Sequence, residues 1–322
     1  MSGTTSVKDT NHTAVAVVKP ILKWVGGKTQ IIDKLLCEFP TVMNNYREIF
    51  LGGGSVLLAL LSYVKAGVIK VNGKIYAYDL NEPLIHMYKN IQTNHTLLYS
   101  EIQKLIKEYD ESGQGVINRK PANIDEAKEN KENYYYWVRK QYNALTVEEK
   151  KGVIGSAYLI FMNKTCFRGV FRVGPTGFNT PYGHYKKTPE VVNKEHLDLV
   201  HDLIKDVVFE CLDFKASLAK AESGDFVYLD PPYAPETEKS FVGYTENGFD
   251  LESHKNLFKL IHELTDRNIK IVLSNADVEL VRSSFTNEKY NTSIVLCKRS
   301  INSTNPAAKA SEVIITSKQT HS

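Results

Sequence analysis

Apolar residues near the start of the chain follow a strand, helix, strand order. Their spacing predicts a helix over Thr29–Glu38, a strand over Arg47–Leu51, a helix from Ser55 to about Lys65 and a second strand over Lys74–Tyr78. Glycines separate the first strand from the helix that follows it, and an acidic residue ends the second strand. This arrangement is typical of one βαβ half of a nucleotide-binding sheet.

The middle of the chain is polar and has a different pattern. Residues 86–150 are rich in Lys, Glu, Asn and Tyr at helical spacing, and the run Tyr134–Trp137 fits packing between these helices better than stacking on bases. Residues 163–188 contain many glycines, asparagines and arginines, which predicts loops and short strands. A polar stretch of about 115 residues is too long for a crossover. It predicts a domain inserted into the sheet.

Strands and helices alternate again towards the C-terminus. The pattern predicts a strand over Phe226–Leu229, an amphipathic helix over Leu251–Leu264, a strand over Ile271–Leu273, and a closing strand pair over Tyr290–Leu296 and Glu312–Thr316. The predicted fold class is therefore α/β, a Rossmann-like sheet with a mostly helical insertion.

Composition narrows the class of protein. Of the 322 residues, 42% are hydrophobic and 24% are charged, as in globular proteins. No run approaches the roughly 20 apolar residues that cross a bilayer, and the first residues lack the basic segment of a secretory signal. The net charge of +3 neither requires nor excludes nucleic acid as a partner, because phosphate binding depends on where the charge lies. We therefore expect an intracellular enzyme or binding protein.

The cysteines add no site of their own. Cys37, Cys166, Cys211 and Cys297 are widely spaced and form no CxxC pair. Such spacing predicts neither a disulfide framework nor a metal site.

Three glycines in the segment FLGGGS (Phe50–Ser55) stand between a predicted strand and a helix. They let a ligand approach the backbone and the free N–H groups of the helix start, although a tight turn alone would also explain them. Asp79 lies 25 residues beyond Gly54, at the end of the next strand. A carboxylate there can bind both hydroxyls of a ribose or cap the following helix. Together the two features indicate a ligand that contains adenosine.

The segment DPPY (Asp230–Tyr233) follows an apolar strand, at the edge where open α/β sheets bind ligands. An ionised Asp230 only accepts hydrogen bonds. Pro231 and Pro232 stiffen the backbone so that its carbonyls stay in place, and Tyr233 offers a flat face for stacking. These groups suit a planar base with an exocyclic amino group, such as adenine or cytosine. A proline-stiffened loop with a capping aspartate is the structural alternative.

As a set, these motifs resemble Dam-type DNA adenine N6-methyltransferases of the α group, over nearly the whole chain from residue 20 onward. LKWVGGK (residues 22–28), FLGGGS, YDLNEPLI (78–85) and DPPY occur in the order of that family. The segment NKTCFRGVFRVGPTGFNTPYGHYK (163–186) resembles its DNA-reading hairpin region. FVGYTENGF (241–249) and SEVIITS (311–317) also match.

The resemblance implies that S-adenosylmethionine is the cofactor, that S-adenosylhomocysteine is the product, and that no metal is needed. The positions that match cofactor contacts of the family are Trp24, Lys28, Phe50, Gly52, Gly54, Asp79 and Asp230. The resemblance also implies that Asp230 and the Pro231 carbonyl accept hydrogen bonds from the adenine amino group. Tyr233 would stack on the base, and Pro232 completes the catalytic loop. The amino nitrogen would then attack the sulfonium methyl group in line, without a covalent enzyme intermediate.

A duplex hides the adenine amino group, so the resemblance also implies base flipping. Arg168, Arg172, Lys186 and Lys187 can hold phosphates or guanine edges, and Phe167 can wedge into the vacated stack. Of these, Arg172 keeps the position that the family associates with guanine recognition. Without the resemblance, a solvated basic loop is the alternative. The Dam type implies GATC as the target. The family usually has Asn where this chain has Arg168, which leaves another short site such as CATG open.

Domain boundaries and partners follow from the same resemblance. We expect a flexible N-terminal tail at residues 1–19, a catalytic methyltransferase domain formed by 20–88 and 205–322, and a target-recognition insertion at 89–204 that binds double-stranded DNA. The expected protein is a monomer without membrane contact. It would act in the cytoplasm or, if viral, in the DNA-containing compartment of the host. A cognate restriction endonuclease would be its partner in a restriction–modification system.

Other functions explain less of the sequence. An NAD-dependent dehydrogenase accounts for the glycines and Asp79 but leaves DPPY and LKWVGGK unexplained. A DNA-binding module without catalysis has no use for a cofactor site. A methyltransferase of RNA or of a protein glutamine is the nearest alternative, because similar loops serve those substrates. The long insertion favours duplex DNA.

Overall fold

The computed structural model describes residues 15–185, 187–234, 249–298 and 309–318. Lys186, all of FVGYTENGF except Phe249, and most of the predicted N-terminal tail lie outside the described residues. The last five residues of that tail are described. The backbone N–H of Val18 donates to Ser62 Oγ at 3.1 Å, and Val18 packs with Val17 against the main apolar core.

A mostly parallel sheet forms the centre of the fold. The strands of the described residues are β1 (Val42–Met43), β2 (Tyr46–Glu48), β3 (Lys70–Val71), β4 (Ile75–Asp79), β5 (Val173–Gly174), β6 (Gly177–Phe178), β7 (Val207–Cys211), β8 (Phe226–Leu229), β9 (Lys270–Ala276), β10 (Tyr290–Lys298) and β11 (Lys309–Ser317). Seven of them form one sheet in the order β10-β11-β9-β8-β2-β4-β7. The five strands from β9 to β7 in that order are parallel, and β11 is antiparallel to both β9 and β10. The predicted α/β class is confirmed.

Helices flank this sheet and build the insertion. Those of the described residues are α1 (Ile32–Leu36), α2 (Ser55–Lys65), α3 (Glu82–Glu111), α4 (Ile124–Lys128), α5 (Lys131–Ala144), α6 (Val147–Lys151), α7 (Val153–Thr165), α8 (Lys194–Ile204), α9 (Phe214–Ala219), α10 (Leu251–Asp266) and α11 (Glu279–Ser284). The helix predicted over Thr29–Glu38 is shorter than expected. A 3-10 turn at Lys28–Gln30 precedes α1, because Ile31 has a φ of −121° that interrupts the helical geometry.

The strand order reverses at β2. Within the sheet, β2 lies between β4 and β8, and it is parallel to both. The chain passes from β2 to β4 on one side and later returns to β8 on the opposite side of β2. Loops that leave the carboxyl ends of two such strands part from each other and open a crevice for a ligand. The segments FLGGGS and DPPY follow β2 and β8, and Asp79 ends β4. The three sequence motifs therefore meet at one edge of the sheet.

The insertion is largely helical, as predicted. Tyr134, Tyr135 and Tyr136 of α5 are at most 8% exposed, so this run packs against the rest of the insertion. The expected domain boundary between residues 88 and 89 falls inside α3. That helix begins with a side-chain cap, since Asn81 Oδ1 accepts the N–H of Leu84 at 3.1 Å, and its backbone bends at Asn94.

Candidate active site

The glycine loop after β2 is fastened to the end of β4. The N–H of Gly52 donates to Asp79 Oδ2 at 2.8 Å, and the N–H of Asn81 donates to Asp79 Oδ1 at 2.9 Å. Burial raises the pKa of Asp79, and these backbone bonds counter the rise. Each carboxylate oxygen keeps a further acceptor site, so Asp79 can still receive hydroxyl groups. The capping of α3, which was the alternative role for Asp79, belongs to Asn81.

The side chain of Trp24 lies directly against the glycine loop. A Cβ atom on Gly53 would lie 2.6 Å from Cβ of Trp24, and one on Gly52 would lie 3.1 Å from its indole Nε1. Gly52 and Gly54 have φ angles of +50° and +72°, which disfavour any residue with a side chain. The loop therefore needs glycine for its conformation and for contact with Trp24, which forms one wall of the crevice.

Lys28 joins the N-terminal motif to the DPPY loop. Its side chain is 3% exposed, and Nζ lies 2.7 Å from Asp230 Oδ2 and 2.7 Å from the Gly26 carbonyl oxygen. The same ammonium lies 4.9 Å from the ring centre of Tyr233. Lys28 therefore neutralises Asp230 and covers one face of the Tyr233 ring.

Carboxyl groups are concentrated at this edge of the sheet, and burial disfavours their charged forms. Burial raises the pKa of Asp230, whereas Lys28 lowers it. Glu48, at the end of β2, is 1% exposed and accepts a hydrogen bond from the Tyr46 hydroxyl at 2.8 Å. Burial raises the pKa of Glu48 well above its usual range, and nearby Asp230 and Asp79 add to the rise. The hydrogen bond from Tyr46 partly offsets the rise at Glu48, whereas Asp230 has Lys28 as a counter-charge.

Two buried side chains hold the backbone of the DPPY loop, and sequence reasoning missed both. Nε2 of His254 in α10 lies 3.1 Å from the Pro232 carbonyl oxygen. Oδ1 of Asn275 in β9 accepts the N–H of Ala234 at 3.0 Å, and among the described residues Asn275 Nδ2 has no hydrogen-bond partner. Asn275 could have been noticed in the sequence, because it is a polar residue near the end of a mostly apolar strand. His254 had no such signal, because it lies within an amphipathic helix.

A third residue, Glu312 in β11, holds the side chain of Tyr233 in the DPPY loop. The Tyr233 hydroxyl donates to Glu312 Oε2 at 2.6 Å. Burial raises the pKa of Tyr233, and Asp230 and Glu312 add to the rise, so this phenol stays protonated. The SEVIITS segment was matched as a motif, but the role of its glutamate was not predicted.

Aromatic rings form a further wall next to the glycine loop. Phe50 lies 6.2 Å from Phe214, with nearly parallel rings, and 5.8 Å from Phe249, measured between ring centres. Phe249 also contacts the ring of His254 at 4.7 Å. Only Phe50 of these residues was predicted. The sequence signal for Phe214 was an acidic and aromatic pair, Asp213 and Phe214, after a strand that ends beside β4.

The insertion is coupled to the crevice through Asn163. Its side chain accepts the N–H of Lys23 at 2.8 Å, donates to the Lys23 carbonyl oxygen at 2.8 Å and donates to the Gly169 carbonyl oxygen at 3.0 Å. The ring of Trp24 also stacks on Phe171 at 5.9 Å. The first motif of the chain and the predicted DNA-reading segment therefore form one connected surface.

The predicted DNA-reading residues lie on a turn and a hairpin of that segment. Phe167 is 46% exposed, and Arg168 beside it has a φ of +55° and a guanidinium 5.2 Å from the Phe167 ring centre. Arg172 immediately precedes the β5–β6 hairpin. Its Nε donates to Asn179 Oδ1 at 2.6 Å, and a terminal nitrogen donates to the Asn179 carbonyl oxygen at 3.1 Å. Lys187 is exposed. The structure places these residues on the surface of the insertion.

The chemistry of the groups around the crevice suits S-adenosylmethionine. The glycine loop packs tightly against Trp24 and Tyr88, which leaves the backbone of the loop without side chains of its own at the edge of the crevice. Asp79 offers acceptors for ribose hydroxyls, and the ring cluster around Phe50 offers a flat contact for adenine. The residues that would hold the cofactor are Trp24, Lys28, Phe50, Gly52, Gly54, Asp79 and Asp230.

The described residues contain neither a membrane-spanning helix nor a cluster of metal ligands. No helix within the described ranges is both long and apolar enough to span a bilayer. The same part of the chain contains no group of three or more His, Cys, Asp or Glu side chains arranged to hold a metal ion.

Known proteins are similar to this chain over most of its length. Residues 24–298 match the family model described as D12 class N6 adenine-specific DNA methyltransferase. The chain is 34% identical over 295 residues to the Type II methyltransferase M.MjaIII of Methanocaldococcus jannaschii, covering 88% of this chain and 93% of that protein. It is 29% identical over 278 residues to a DNA adenine methylase of Haemophilus influenzae, covering 84% of each. A DNA adenine methylase of Escherichia coli K12 is 27% identical over 293 residues, covering 88% of this chain and 90% of that protein.

Proposed function

Because the chain belongs to the family of D12 class N6 adenine-specific DNA methyltransferases, we propose that it methylates N6 of adenine in the duplex site GATC, at the loop Asp230–Tyr233. Membership of this family implies DNA as the substrate and S-adenosylmethionine as the methyl donor. The observation that carries the assignment of the transfer to the loop Asp230–Tyr233 is the contact of Lys28 with both Asp230 and the ring of Tyr233, at the carboxyl edge of β8.

Asp230 has the chemistry that an N6 transfer needs. Bound S-adenosylmethionine would supply an electrophilic methyl group. The Asp230 carboxylate and the Pro231 carbonyl would accept hydrogen bonds from the adenine amino group, which directs the nitrogen lone pair towards that methyl group. Lys28, 2.7 Å from Asp230, favours the ionised form that can only accept. His254 supports the backbone of the loop, because its Nε2 lies within hydrogen-bond distance of the Pro232 carbonyl oxygen.

Tyr233 provides the contact for a base rotated out of the duplex. One face of its ring is covered by the Lys28 ammonium, so a flipped adenine would stack on the opposite face. Exposed Phe167 could fill the space that the base leaves. Rotation of the base costs a few kcal/mol, which contacts of the insertion with the DNA would offset.

Target choice is proposed from the hairpin region. Arg172 is exposed, and two hydrogen bonds to Asn179 fix the orientation of its guanidinium. An arginine of fixed orientation suits bidentate recognition of guanine. This supports a site that contains guanine, with GATC first and CATG as the alternative because of Arg168.

The proposal also covers the oligomeric state, the location and the partner of the protein. We expect a monomer that methylates the two strands of a palindromic site in turn, without a metal ion. It would act in the cytoplasm, or in the DNA-containing compartment of the host if the source is a virus. Two relatives are named as Type II methyltransferases, which supports a restriction–modification system with a cognate endonuclease.

The test is incubation of purified protein with tritiated S-adenosylmethionine and unmethylated plasmid. Nucleoside analysis and digestion with endonucleases that are blocked by methylated GATC or CATG would follow. N6-methyladenine with protection of GATC is expected. N6-methyladenine without that protection would overturn the GATC assignment. Absence of label on DNA, in protein that still binds S-adenosylmethionine, would overturn DNA as the substrate.

A further inference from the structure

We propose that Glu312 is a positioning residue for the methyl transfer, acting through the hydroxyl group of Tyr233. This inference rests on the proposed transfer at Asp230–Tyr233. It assigns a role to a residue that lies far from the DPPY motif in the sequence and that would not touch the reacting atoms.

The topology of the sheet brings Glu312 to the crevice. Because β11 is antiparallel to β9, its first residues lie at the same edge as the carboxyl ends of the parallel strands. In the register of the two strands, Glu312 pairs with Ala276, the last residue of β9. β9 in turn lies beside β8, which leads into the DPPY loop.

The contact with Tyr233 is short and lies at the outer end of the ring. The hydroxyl of Tyr233 donates to Glu312 Oε2 at 2.6 Å, while the Lys28 ammonium lies 4.9 Å from the ring centre. A tyrosine side chain turns about two bonds, so a hydrogen bond at its tip and a cation on one face fix its plane. The face that would receive the flipped base then has one orientation before DNA binds.

Fixing that plane matters because transfer depends on alignment. The adenine nitrogen must approach the methyl group in line, and a displacement of about 1 Å can cost about 100-fold in rate. The Tyr233 ring would set the plane of the base, while Asp230 would set the position of its amino group. Loss of the Glu312 contact should therefore lower kcat and leave cofactor binding unchanged.

The experiment is a double-mutant cycle with Glu312→Ala and Tyr233→Phe, measured on unmethylated plasmid with saturating tritiated S-adenosylmethionine. Each single variant should lower kcat by roughly tenfold, the size expected for one lost charge-assisted hydrogen bond. The double variant should fall no further than about twofold below either one, because both changes remove the same contact. The Kd for S-adenosylmethionine should stay at the wild-type value, and the unfolding temperature should fall by no more than a few degrees.

Two further variants sharpen the test. Glu312→Gln keeps an acceptor oxygen and should recover most of kcat. Glu288→Ala removes an exposed glutamate that precedes β10 and should match wild type. Should Glu312→Ala fail to fold, Tyr233→Phe alone must still show the loss.

The outcomes separate the two proposals. Wild-type kcat in Tyr233→Phe, or single losses that multiply in the double variant, would overturn the role of Glu312. Failure of the wild-type protein to form N6-methyladenine on DNA would overturn the proposed function, and the role of Glu312 with it.

Discussion

The Lys28 ammonium lies 2.7 Å from Oδ2 of Asp230, in a crevice where the lysine side chain is almost fully buried. This ion pair joins a motif near the start of the chain to the DPPY loop near its end. A buried carboxylate without a counter-charge tends to take up a proton. Lys28 therefore favours the ionised form of Asp230, which can only accept hydrogen bonds.

Replacing Lys28 with methionine should move the pH dependence of the reaction. Burial raises the pKa of Asp230 and Lys28 lowers it, so removing the ammonium raises that pKa further. The ionised form is then lost at a higher pH on acidification, and the acidic limb of the kcat profile should shift upward. The measurement is kcat from about pH 5 to pH 9. Lys34→Met, at an exposed position, is the control, and an unmoved acidic limb in Lys28→Met would contradict the role assigned to the ion pair.

Gly53→Ala should weaken cofactor binding. The added Cβ would lie 2.6 Å from Cβ of Trp24, so the indole wall must move. Overpacking of this kind costs about 1–3 kcal/mol, and we expect the Kd for S-adenosylmethionine to rise about tenfold by calorimetry. Gly67→Ala is the control, because its φ of +73° strains the backbone while the added Cβ meets open space. That control should lower stability without changing the Kd. Equal Kd values for Gly53→Ala and wild type would refute the close approach of Trp24.

Much of this site follows from local sequence signals. The strand before DPPY was predicted with the observed bounds, Phe226–Leu229, because a fully buried parallel strand is a continuous apolar run. The bounds of α2 were also predicted, since glycines precede the helix and apolar residues fill its buried face. Asp79 was predicted at the end of a strand and Asp230 directly after one, at the sheet edge where α/β folds bind ligands.

The supports of the loop could not be predicted in the same way. Glu312 reaches Tyr233 only because β11 runs antiparallel beside β9, a pairing that spacing along the chain does not encode. His254 is a polar residue in an amphipathic helix, and its burial against Pro232 depends on how α10 packs. Asn163 was part of a segment interpreted as DNA-reading, yet its side chain instead links that segment to Lys23.

Asn163→Ala should destabilise the protein and loosen the insertion from the crevice. The buried amide makes three hydrogen bonds, to both backbone groups of Lys23 and to the Gly169 carbonyl. At roughly 1 kcal/mol each, their loss should lower the free energy of unfolding by about 3 kcal/mol in urea titrations. Asn287→Ala, at an exposed position, should change it little. A free energy of unfolding equal to wild type would show that Asn163 does not couple the two parts.

Arg172→Ala should reduce the preference for one DNA sequence. A bidentate arginine contact to guanine contributes about 1–3 kcal/mol of discrimination. We therefore compare the methylation rate of a GATC duplex with that of a duplex whose guanine is replaced. In Arg172→Ala the ratio of the two rates should fall by the factor that this free energy corresponds to. Arg282→Ala is the control, because it also removes an exposed arginine, one that lies in α11 and pairs with Asp277. It should leave the ratio unchanged. An unchanged ratio in Arg172→Ala would assign guanine recognition to another residue.

The central claim is that Asp230 promotes methylation of adenine N6 in duplex DNA. The most direct measurement compares wild-type protein with Asp230→Ala, using tritiated S-adenosylmethionine, unmethylated plasmid and nucleoside analysis, with duplex affinity measured in parallel. We predict that wild type forms N6-methyladenine, while Asp230→Ala loses at least about 100-fold in rate and still binds DNA. Wild-type activity in Asp230→Ala, or label on any nucleoside other than N6-methyldeoxyadenosine, would contradict the account.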